Sequence, residues 1–357
     1  MAAISLDGVK VVRGSSLILN IEHLEIADGE LLVVLGPSGA GKSMLLRAIS
    51  GLEVLSGGKI RFDGVDMAEV GTAQRGVAMV FQDQTLYPFL DVRGNVGFPL
   101  KIRGVRADEV DARVEAEARV LEIEHLLSRR PGTLGAGHQQ LVQAARALVR
   151  VPDVFLMDEP LARLDAHLRM QMRQEFRLLQ QGYGVTTVFV TNDQEEAMAV
   201  ADRIAVIDGG VIVQIGHPMD LYRHPRSRFV AGFLGAMGFV SARLSRDGSG
   251  FWVRFGDCRI RALTPAIAGA SSDDVEVGVR PEDIILDPCG VSVPTGRGYF
   301  TGAYGMTQIE MAPGEWIEMR TPEPVPAGTK VRVRLRRLHI FDTRTGLVLG
   351  RTEDGAG

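Results

Sequence analysis

The residues whose types and spacing best support chemistry lie in one glycine-rich segment near the start of the sequence. The segment reads GPSGAGKS and matches the pattern GxxxxGK followed by Ser or Thr, between a strand-like run and a helix-like run. Its glycines allow a tight backbone path that turns amide N–H groups toward phosphate oxygens. The ammonium of Lys42 can reach nucleotide phosphates, and the hydroxyl of Ser43 can bind Mg²⁺. The residues expected to bind nucleotide are Gly36, Pro37, Ser38, Gly39, Ala40, Gly41, Lys42 and Ser43.

A pair of carboxylates, Asp158 and Glu159, follows the apolar run Val154–Met157. An apolar strand that ends in two acids delivers both to the carboxyl edge of a sheet, where open α/β sheets bind ligands. We expect Asp158 to hold Mg²⁺ and Glu159 to act as a general base toward an attacking water. The alternative is an acidic pair that only caps the next helix, and the phosphate loop upstream favours the catalytic interpretation.

Alternating strand-like and helix-like runs would position these residues. The predicted strands are Leu31–Leu35, Val77–Phe81, Val154–Met157, Thr186–Val190 and Ile204–Ile207. The predicted helices are Met44–Ser50, Glu109–Leu127, Gln139–Val149, Leu168–Gln181 and Gln194–Ala201. This alternation predicts an α/β domain with a parallel-sheet core over residues 1–235. The mostly helical stretch at about 88–150 predicts a helical lobe.

The pattern changes after Gly235. Strand alternation with Gly and Pro punctuation replaces long helical periods, at Phe251–Phe255, Val275–Val279, Trp316–Met319 and Val331–Leu335. We therefore predict a small all-β domain at 236–350, of the oligosaccharide/oligonucleotide-binding (OB) barrel type, followed by a tail at 351–357.

Composition excludes several classes of protein. The chain has 357 residues, a formal net charge of −4 and two cysteines, Cys258 and Cys289. The cysteines do not have the spacing of a zinc site, and two are too few for a disulfide framework. The negative balance disfavours a nucleic-acid partner. No apolar stretch approaches the ~20 residues that would span a bilayer.

Further motifs, in a fixed order, narrow the family. Gln82 follows a strand, LGAGH begins at Leu134, Asp165 ends the stretch DEPLARLD, and Asn192 follows VT. Together with the phosphate loop, this series resembles the ATP-binding subunit of an ABC transporter over residues 1–235. Gly278–Ile284 resembles the strand motif of the C-terminal TOBE domain of importer ATPases. Leu338–Gly346 is similar to the ending of the sugar-importer branch, near the maltose- and glycerol-phosphate-type subunits.

The resemblance implies a fold and an assembly. The fold would be a P-loop ATPase domain followed by an OB/TOBE-like β domain. Two ATP-binding subunits, as a homodimer or a heterodimer, would meet head to tail around two ATP molecules with Mg²⁺. Two transmembrane permease subunits would hold them at the cytoplasmic face of the cell membrane and work with an extracytoplasmic solute-binding protein.

The resemblance also implies roles for individual residues. Ser43, Gln82 and Asp158 would form the Mg²⁺ site, and Gln82 would sense the γ-phosphate. The residues that reach the partner's ATP would be Gly135, Ala136, Gly137 and Asp165. The aromatic segment Tyr87-Pro-Phe89 would receive a permease helix, unless it is only local core.

Four positions depart from the family pattern. Arg13 stands where an adenine-stacking aromatic is expected, and an arginine plane can stack on a base or remain solvated. The signature loop LSGGQ is replaced by LGAGH, so Gly135 lacks the serine hydroxyl and Ala136 adds a Cβ. Asn192 replaces the switch histidine and cannot become cationic. Ala162-Arg163 replaces a small polar pair before Asp165.

These observations favour an ATP-hydrolysing subunit of a membrane importer, for a sugar or a sugar-like solute. The alternative is a weakly active or regulatory nucleotide-binding subunit of a heterodimeric transporter. A soluble ABC-type ATPase acting on DNA or ribosomes is disfavoured by the acidic balance and the TOBE-like tail. A P-loop small-molecule kinase would have no reason to carry Gln82, Asp165 and Asn192 in this order.

Overall fold

The computed structural model describes residues 2–82, 86–247, 250–256, 258–262 and 272–352. The chain forms two compact units, Met1–Leu221 and Tyr222–Gly357. The strands of the first unit are β1 (Ile4–Arg13), β2 (Ser16–Ile26), β3 (Leu31–Leu35), β4 (Gly57–Phe62), β5 (Val65–Asp66), β6 (Val77–Val80), β7 (Val154–Asp158), β8 (Thr186–Thr191), β9 (Arg203–Asp208) and β10 (Val211–Gly216). Its helices are α1 (Lys42–Ser50), α2 (Val92–Ile102), α3 (Ala107–Val120), α4 (Ala136–Leu148), α5 (Ala166–Tyr183), α6 (Gln194–Val200) and, at the boundary of the two units, α7 (Pro218–Arg223).

The core of the first unit is a six-stranded sheet in the order β10-β9-β3-β8-β7-β6. The pairs between β9 and β6 are parallel, and only the edge strand β10 runs antiparallel. All five residues of β3 are buried, as expected for a strand covered on both faces. The five strands predicted from continuous apolar runs are confirmed as β3, β6, β7, β8 and β9.

A second sheet of the first unit, in the order β2-β1-β4-β5, was not among the predicted elements. It is antiparallel throughout, with Ile4 opposite Ile26 on one side and Phe62 on the other. Its apolar side chains join one hydrophobic core with those of the central sheet.

The helical lobe has a hydrophobic core of its own, formed mainly by α2, α3 and α4. The predicted helix Glu109–Leu127 is too long, because α3 ends at Val120 and Glu122 takes a left-handed φ of 56°. The helix α2 contains Pro99 and two glycines, yet it forms because the side chain of Asp91 caps it and its apolar face is buried. None of the helices in the described part of the chain has the length and apolar composition needed to span a bilayer.

The described part of the second unit consists mainly of strands and contains the helix α8 (Arg228–Phe233). Its strands are β11 (Gly238–Asp247), β12 (Gly250–Phe255), β13 (Cys258–Ala262), β14 (Asp274–Val279), β15 (Ile284–Phe300), β16 (Gly305–Ala312), β17 (Glu315–Thr321), β18 (Lys330–Leu335), β19 (Leu338–Asp342) and β20 (Val348–Thr352). They form two antiparallel sheets, in the orders β13-β12-β11-β14-β19-β20 and β17-β16-β15-β18, around one shared core.

A buried arginine explains why residues 222–235, predicted as part of the first domain, lie in the second unit. Arg280 is 2% exposed, and its guanidinium donates to the carbonyls of Tyr222, Ala231 and Ala236. It also lies over the ring of Tyr222, 3.5 Å from the centroid. Of the predicted tail, residues 351–352 belong to β20, and residues 353–357 lie outside the described residues.

Candidate functional site

The glycine-rich loop connects the carboxyl end of β3 to the first residue of α1. Gly39 and Gly41 have φ values of 82° and 99°, a backbone region that favours glycine. At Gly36, an added Cβ would lie 2.3 Å from the carbonyl oxygen of Ile207, so no larger residue fits. Ser38 and Gly39 are exposed, and Ala40 is buried. The loop therefore presents its backbone to solvent at the N-terminus of a helix, where anions bind.

Lys42 lies inside this loop. Its side chain is only 4% exposed, and Nζ donates to the carbonyl oxygens of Gly36, at 2.9 Å, and Pro37, at 3.0 Å. The same Nζ lies 3.6 Å from Oε1 of Glu159. A buried ammonium is thereby held between the loop and the acidic pair, at the place where a phosphate group would need a cation.

The acidic pair meets the phosphate loop through Ser43. The hydroxyl of Ser43 donates a hydrogen bond of 3.0 Å to Oδ1 of Asp158. Burial raises the pKa of Asp158 and the neighbouring Glu159 carboxylate raises it further, while the Ser43 hydrogen bond and Lys42 act in the opposite direction. A divalent cation would relieve the cost of burying this carboxylate, so the two oxygens fit a Mg²⁺ site.

Beyond Gln82, the third residue expected there, that site would be completed by oxygens from outside the chain. Within the described ranges, no group of three or more His, Cys, Asp or Glu side chains is placed to hold a metal. Mg²⁺ in nucleotide sites usually keeps one or two protein ligands and takes the others from water and phosphates. The pair Ser43 and Asp158 agrees with that arrangement.

Glu159 has an unusual backbone. Its φ is 45°, which is strained for a residue with a side chain, and its N–H donates to the carbonyl of Val190 on β8 at 3.0 Å. Its side chain is 15% exposed. Its Oε2 accepts a hydrogen bond of 3.2 Å from Nε2 of Gln82, the exposed residue shortly after β6. The carboxyl ends of β6, β7 and β8 thus bring Glu159 and Gln82 together.

Asn192 and Asp165 occupy two further loops. Asn192 is exposed and directly follows β8. Asp165 is exposed and caps α5, because its Oδ1 accepts from the N–H of Leu168 at 3.0 Å. Ala162 and Arg163, the other departure from the family pattern in this stretch, are also exposed.

The signature residues lie in the helical lobe, at the start of α4. Gly135 is the N-cap of α4, with φ −67° and ψ 159°, and provides no side-chain cap. Ala136 is half-buried. Gly137 is buried, and a Cβ there would lie 2.9 Å from Cδ1 of Leu168 on α5. These residues are on a different element from the phosphate loop, as a role toward a partner's nucleotide would require.

The structure does not bring Arg13 into the cluster around Lys42. Arg13 ends β1, and its side chain is 56% exposed. Its Nη2 donates to Oε2 of Glu53 at 2.7 Å, and this hydrogen bond is the main reason that the pKa of Glu53 is lowered.

Sequence reasoning missed Asn95, which orders the aromatic segment of the lobe. Asn95 is fully buried in α2, accepts from the N–H of Tyr87 at 2.8 Å and donates to the carbonyls of Tyr87 and Asp91. Tyr87 packs on Phe98, with ring centroids 4.5 Å apart, while Phe89 is 67% exposed. In the sequence, Asn95 could have been recognised as a polar residue on an otherwise apolar helix face.

Comparisons with known proteins agree with this geometry. Residues 19–162 match the sequence profile described as ABC transporter. The chain is 43% identical over 362 residues to the sn-glycerol-3-phosphate import ATP-binding protein UgpC of Burkholderia lata, covering 97% of this chain and 99% of that protein. It is 42% identical over 364 residues to the protein of the same name from Burkholderia pseudomallei, with the same coverage of both.

A solved structure gives the same result. The cbiO1 protein of Clostridium perfringens, described as part of the ABC transporter complex cbiONQ, superposes with a TM-score of 0.58 at 25% identity, covering 62% of this chain and 90% of that chain. The likeness to the Burkholderia proteins extends over nearly the whole chain, and the phosphate loop and acidic pair lie together in space. The chain belongs to the ABC transporter family, as one of its ATP-binding subunits.

Proposed function

We propose that the chain binds and hydrolyses ATP to drive a membrane importer for sn-glycerol-3-phosphate or a closely related sugar phosphate. The observation that carries the ATPase part is the convergence of Lys42, Ser43, Asp158 and Glu159 at one edge of the central sheet. The solute is inferred from the names of the Burkholderia relatives, which match the chain over nearly its full length.

The chain's own residues act on the nucleotide in distinct ways. The amides of the loop Gly36–Gly41 and the ammonium of Lys42 bind the phosphates. Glu159, held by Gln82, accepts a proton from the attacking water. Mg²⁺, when bound, would supply positive charge to the phosphate oxygens, and Ser43, Asp158 and Gln82 would hold it.

The proposed assembly is a head-to-tail pair of ATP-binding subunits on two permeases at the cytoplasmic face of the membrane. The signature residues Gly135, Ala136 and Gly137, with Asp165, would then reach the nucleotide of the partner subunit. Gly135 and Asp165 are exposed N-cap residues of α4 and α5, on different elements from the phosphate loop, and this position supports the arrangement. The second unit would serve as the TOBE domain of the subunit.

The test is isolation of the intact complex from membranes through a tag on the full-length chain, with every subunit identified. We expect two permeases to co-purify, and the complex in proteoliposomes to hydrolyse ATP faster with binding protein loaded with sn-glycerol-3-phosphate than with the empty binding protein. Maltose serves as the control solute. Stimulation by maltose alone would overturn the assignment of the solute. Purification of the tagged chain from membranes without permeases would overturn the importer assignment.

A further inference from the structure

We propose that Arg169 is a positioning residue that connects the loop ending at Asp165 to the switch position Asn192. The inference rests on the proposed function, because Asp165 would contact the partner subunit and Asn192 would face the chain's own nucleotide. Arg169 would then transmit the position of one loop to the other within a single subunit.

The guanidinium of Arg169 holds both loops at once. It projects from the first turn of α5, and Nη2 donates to the carbonyl of Leu164, the residue before Asp165, at 2.9 Å. Nη1 donates to Oδ2 of Asp193, the residue after Asn192, at 3.2 Å. Because both hydrogen bonds come from one planar, rigid guanidinium, a shift of Leu164 that turns this group also moves Asp193 or breaks one of the bonds.

Asp193, the residue of the switch loop that Arg169 contacts, is itself held by hydrogen bonds and can therefore transmit a shift. The N–H of Asp193 donates to Oγ1 of Thr191 at 3.0 Å, and its Oδ1 accepts from the N–H of Glu196 at 3.0 Å. Thr191 in turn donates to Oε2 of Glu196, which is 2% exposed. Asn192 is therefore held between two anchored neighbours, and its backbone follows theirs.

Arg173 provides an internal comparison. It lies one turn further along α5 and also contacts Asp193, with Nη2 3.4 Å from both carboxylate oxygens. Its Nη1 reaches Glu195, at 3.3 Å, and not the loop before Asp165. Arg173 therefore shares the charge and the Asp193 contact of Arg169. The hydrogen bond to Leu164, together with an ion pair of 3.7 Å to Glu196, distinguishes Arg169.

The experiment compares Arg169→Lys with Arg173→Lys in the intact complex at saturating ATP. Lysine keeps the charge but loses the planar fork that reaches two partners. We expect Arg169→Lys to lower kcat about tenfold with an unchanged Kd for ATP, since misplaced groups affect turnover strongly. Arg173→Lys should stay within about twofold of wild type. Equal effects of the two substitutions, with equal Tm values, would overturn the proposal.

A double substitution separates positioning from general loosening. If Arg169 acts through Asn192, the variant carrying both Arg169→Lys and Asn192→Ala will have the kcat of Asn192→Ala alone. If the effects multiply, or if Asn192→Ala leaves kcat unchanged, the proposal is wrong.

Lys42→Ala, measured in parallel, tests the proposed function separately. If wild type and Lys42→Ala hydrolyse ATP equally, the ATPase assignment fails and the inference fails with it. If wild type is much faster but the two arginine variants are alike, only the role of Arg169 is rejected.

Discussion

The hydroxyl of Ser43 lies 3.0 Å from Oδ1 of Asp158, although 115 positions separate the two residues in the sequence. The first turn of α1 and the carboxyl end of β7 are thereby joined by one hydrogen bond. This contact makes the glycine-rich loop and the acidic pair parts of a single site rather than two independent motifs.

Replacing Lys42 by alanine should weaken Mg-ATP binding by more than about tenfold, or about 1.4 kcal/mol. The change removes a buried ammonium and its hydrogen bonds to Gly36 and Pro37. Titration with a fluorescent ATP analogue measures the effect. Lys59→Ala, at a side chain that is 59% exposed, is the matched control and should bind normally. Normal affinity in a folded Lys42→Ala protein would refute the phosphate-loop assignment.

Replacing Glu159 by glutamine should keep ATP binding and lower hydrolysis by roughly 10²–10⁴-fold, the usual loss on removing a general base. Glutamine preserves the size of the side chain and can still accept from Gln82. Single-turnover release of phosphate measures the rate. Glu195→Gln, at an 85% exposed carboxylate, should hydrolyse ATP like wild type. Hydrolysis near the wild-type rate in Glu159→Gln would mean that Glu159 is not the general base.

The buried carboxyl of Glu117 should make stability depend on pH. Burial raises its pKa from 4.5 to about 7, against the hydrogen bond of 2.8 Å that Tyr183 donates. The folded chain therefore keeps a proton that the unfolded chain loses above pH 4.5. The stabilisation is full below that pH and is lost as pH rises through about 7, by on the order of 3 kcal/mol.

Glu117→Gln, which stays neutral, tests this dependence. Its Tm should exceed that of wild type at pH 8, and the difference should shrink toward pH 5. Glu115→Gln changes an exposed carboxylate on the same helix and should show no such trend. An equal difference in Tm at both pH values would contradict a raised pKa at Glu117.

Restoring the family residues together, as Gly135→Ser, Ala136→Gly and Asn192→His, should raise the ATPase rate of the assembled transporter more than about tenfold. The structure leaves room for the serine, because no atom lies within 4 Å of a Cβ at Gly135, and an N-cap serine would also stabilise α4. Gly132→Ser, equally unobstructed, is the control. No gain, or a loss, would mean that other groups compensate for the substitutions.

The sequence predicted those parts of the fold that depend on local pattern. The run Leu31–Leu35 is apolar at every position, which is the mark of a strand buried on both faces, and the structure confirms it. The sheet built on β1 was missed because β1 mixes buried and exposed positions and is not a continuous apolar run, although it forms a local hairpin with β2. Its pairing with β4, about fifty positions away, has no local signal.

The candidate site, like the fold, could be predicted from the sequence only in part. The loop around Lys42 has a sequence pattern with one structural meaning, so its geometry could be anticipated. The fork of Arg169 could not, since it depends on where two distant loops meet after folding. The left-handed turn at Glu122, which shortens α3, also has no glycine to reveal it.

The left-handed backbone at Glu159 lowers the stability of the fold, whereas its carboxylate serves the proposed hydrolysis. Such a conformation costs a non-glycine residue roughly 1–2 kcal/mol, and glycine would remove that cost. Glycine would also remove the carboxylate that lies 3.6 Å from the buried ammonium of Lys42, and this loss offsets the gain. A Glu159→Gly protein should therefore accumulate about as well as the wild type while losing the proposed base. At this position, expression level would then not report activity.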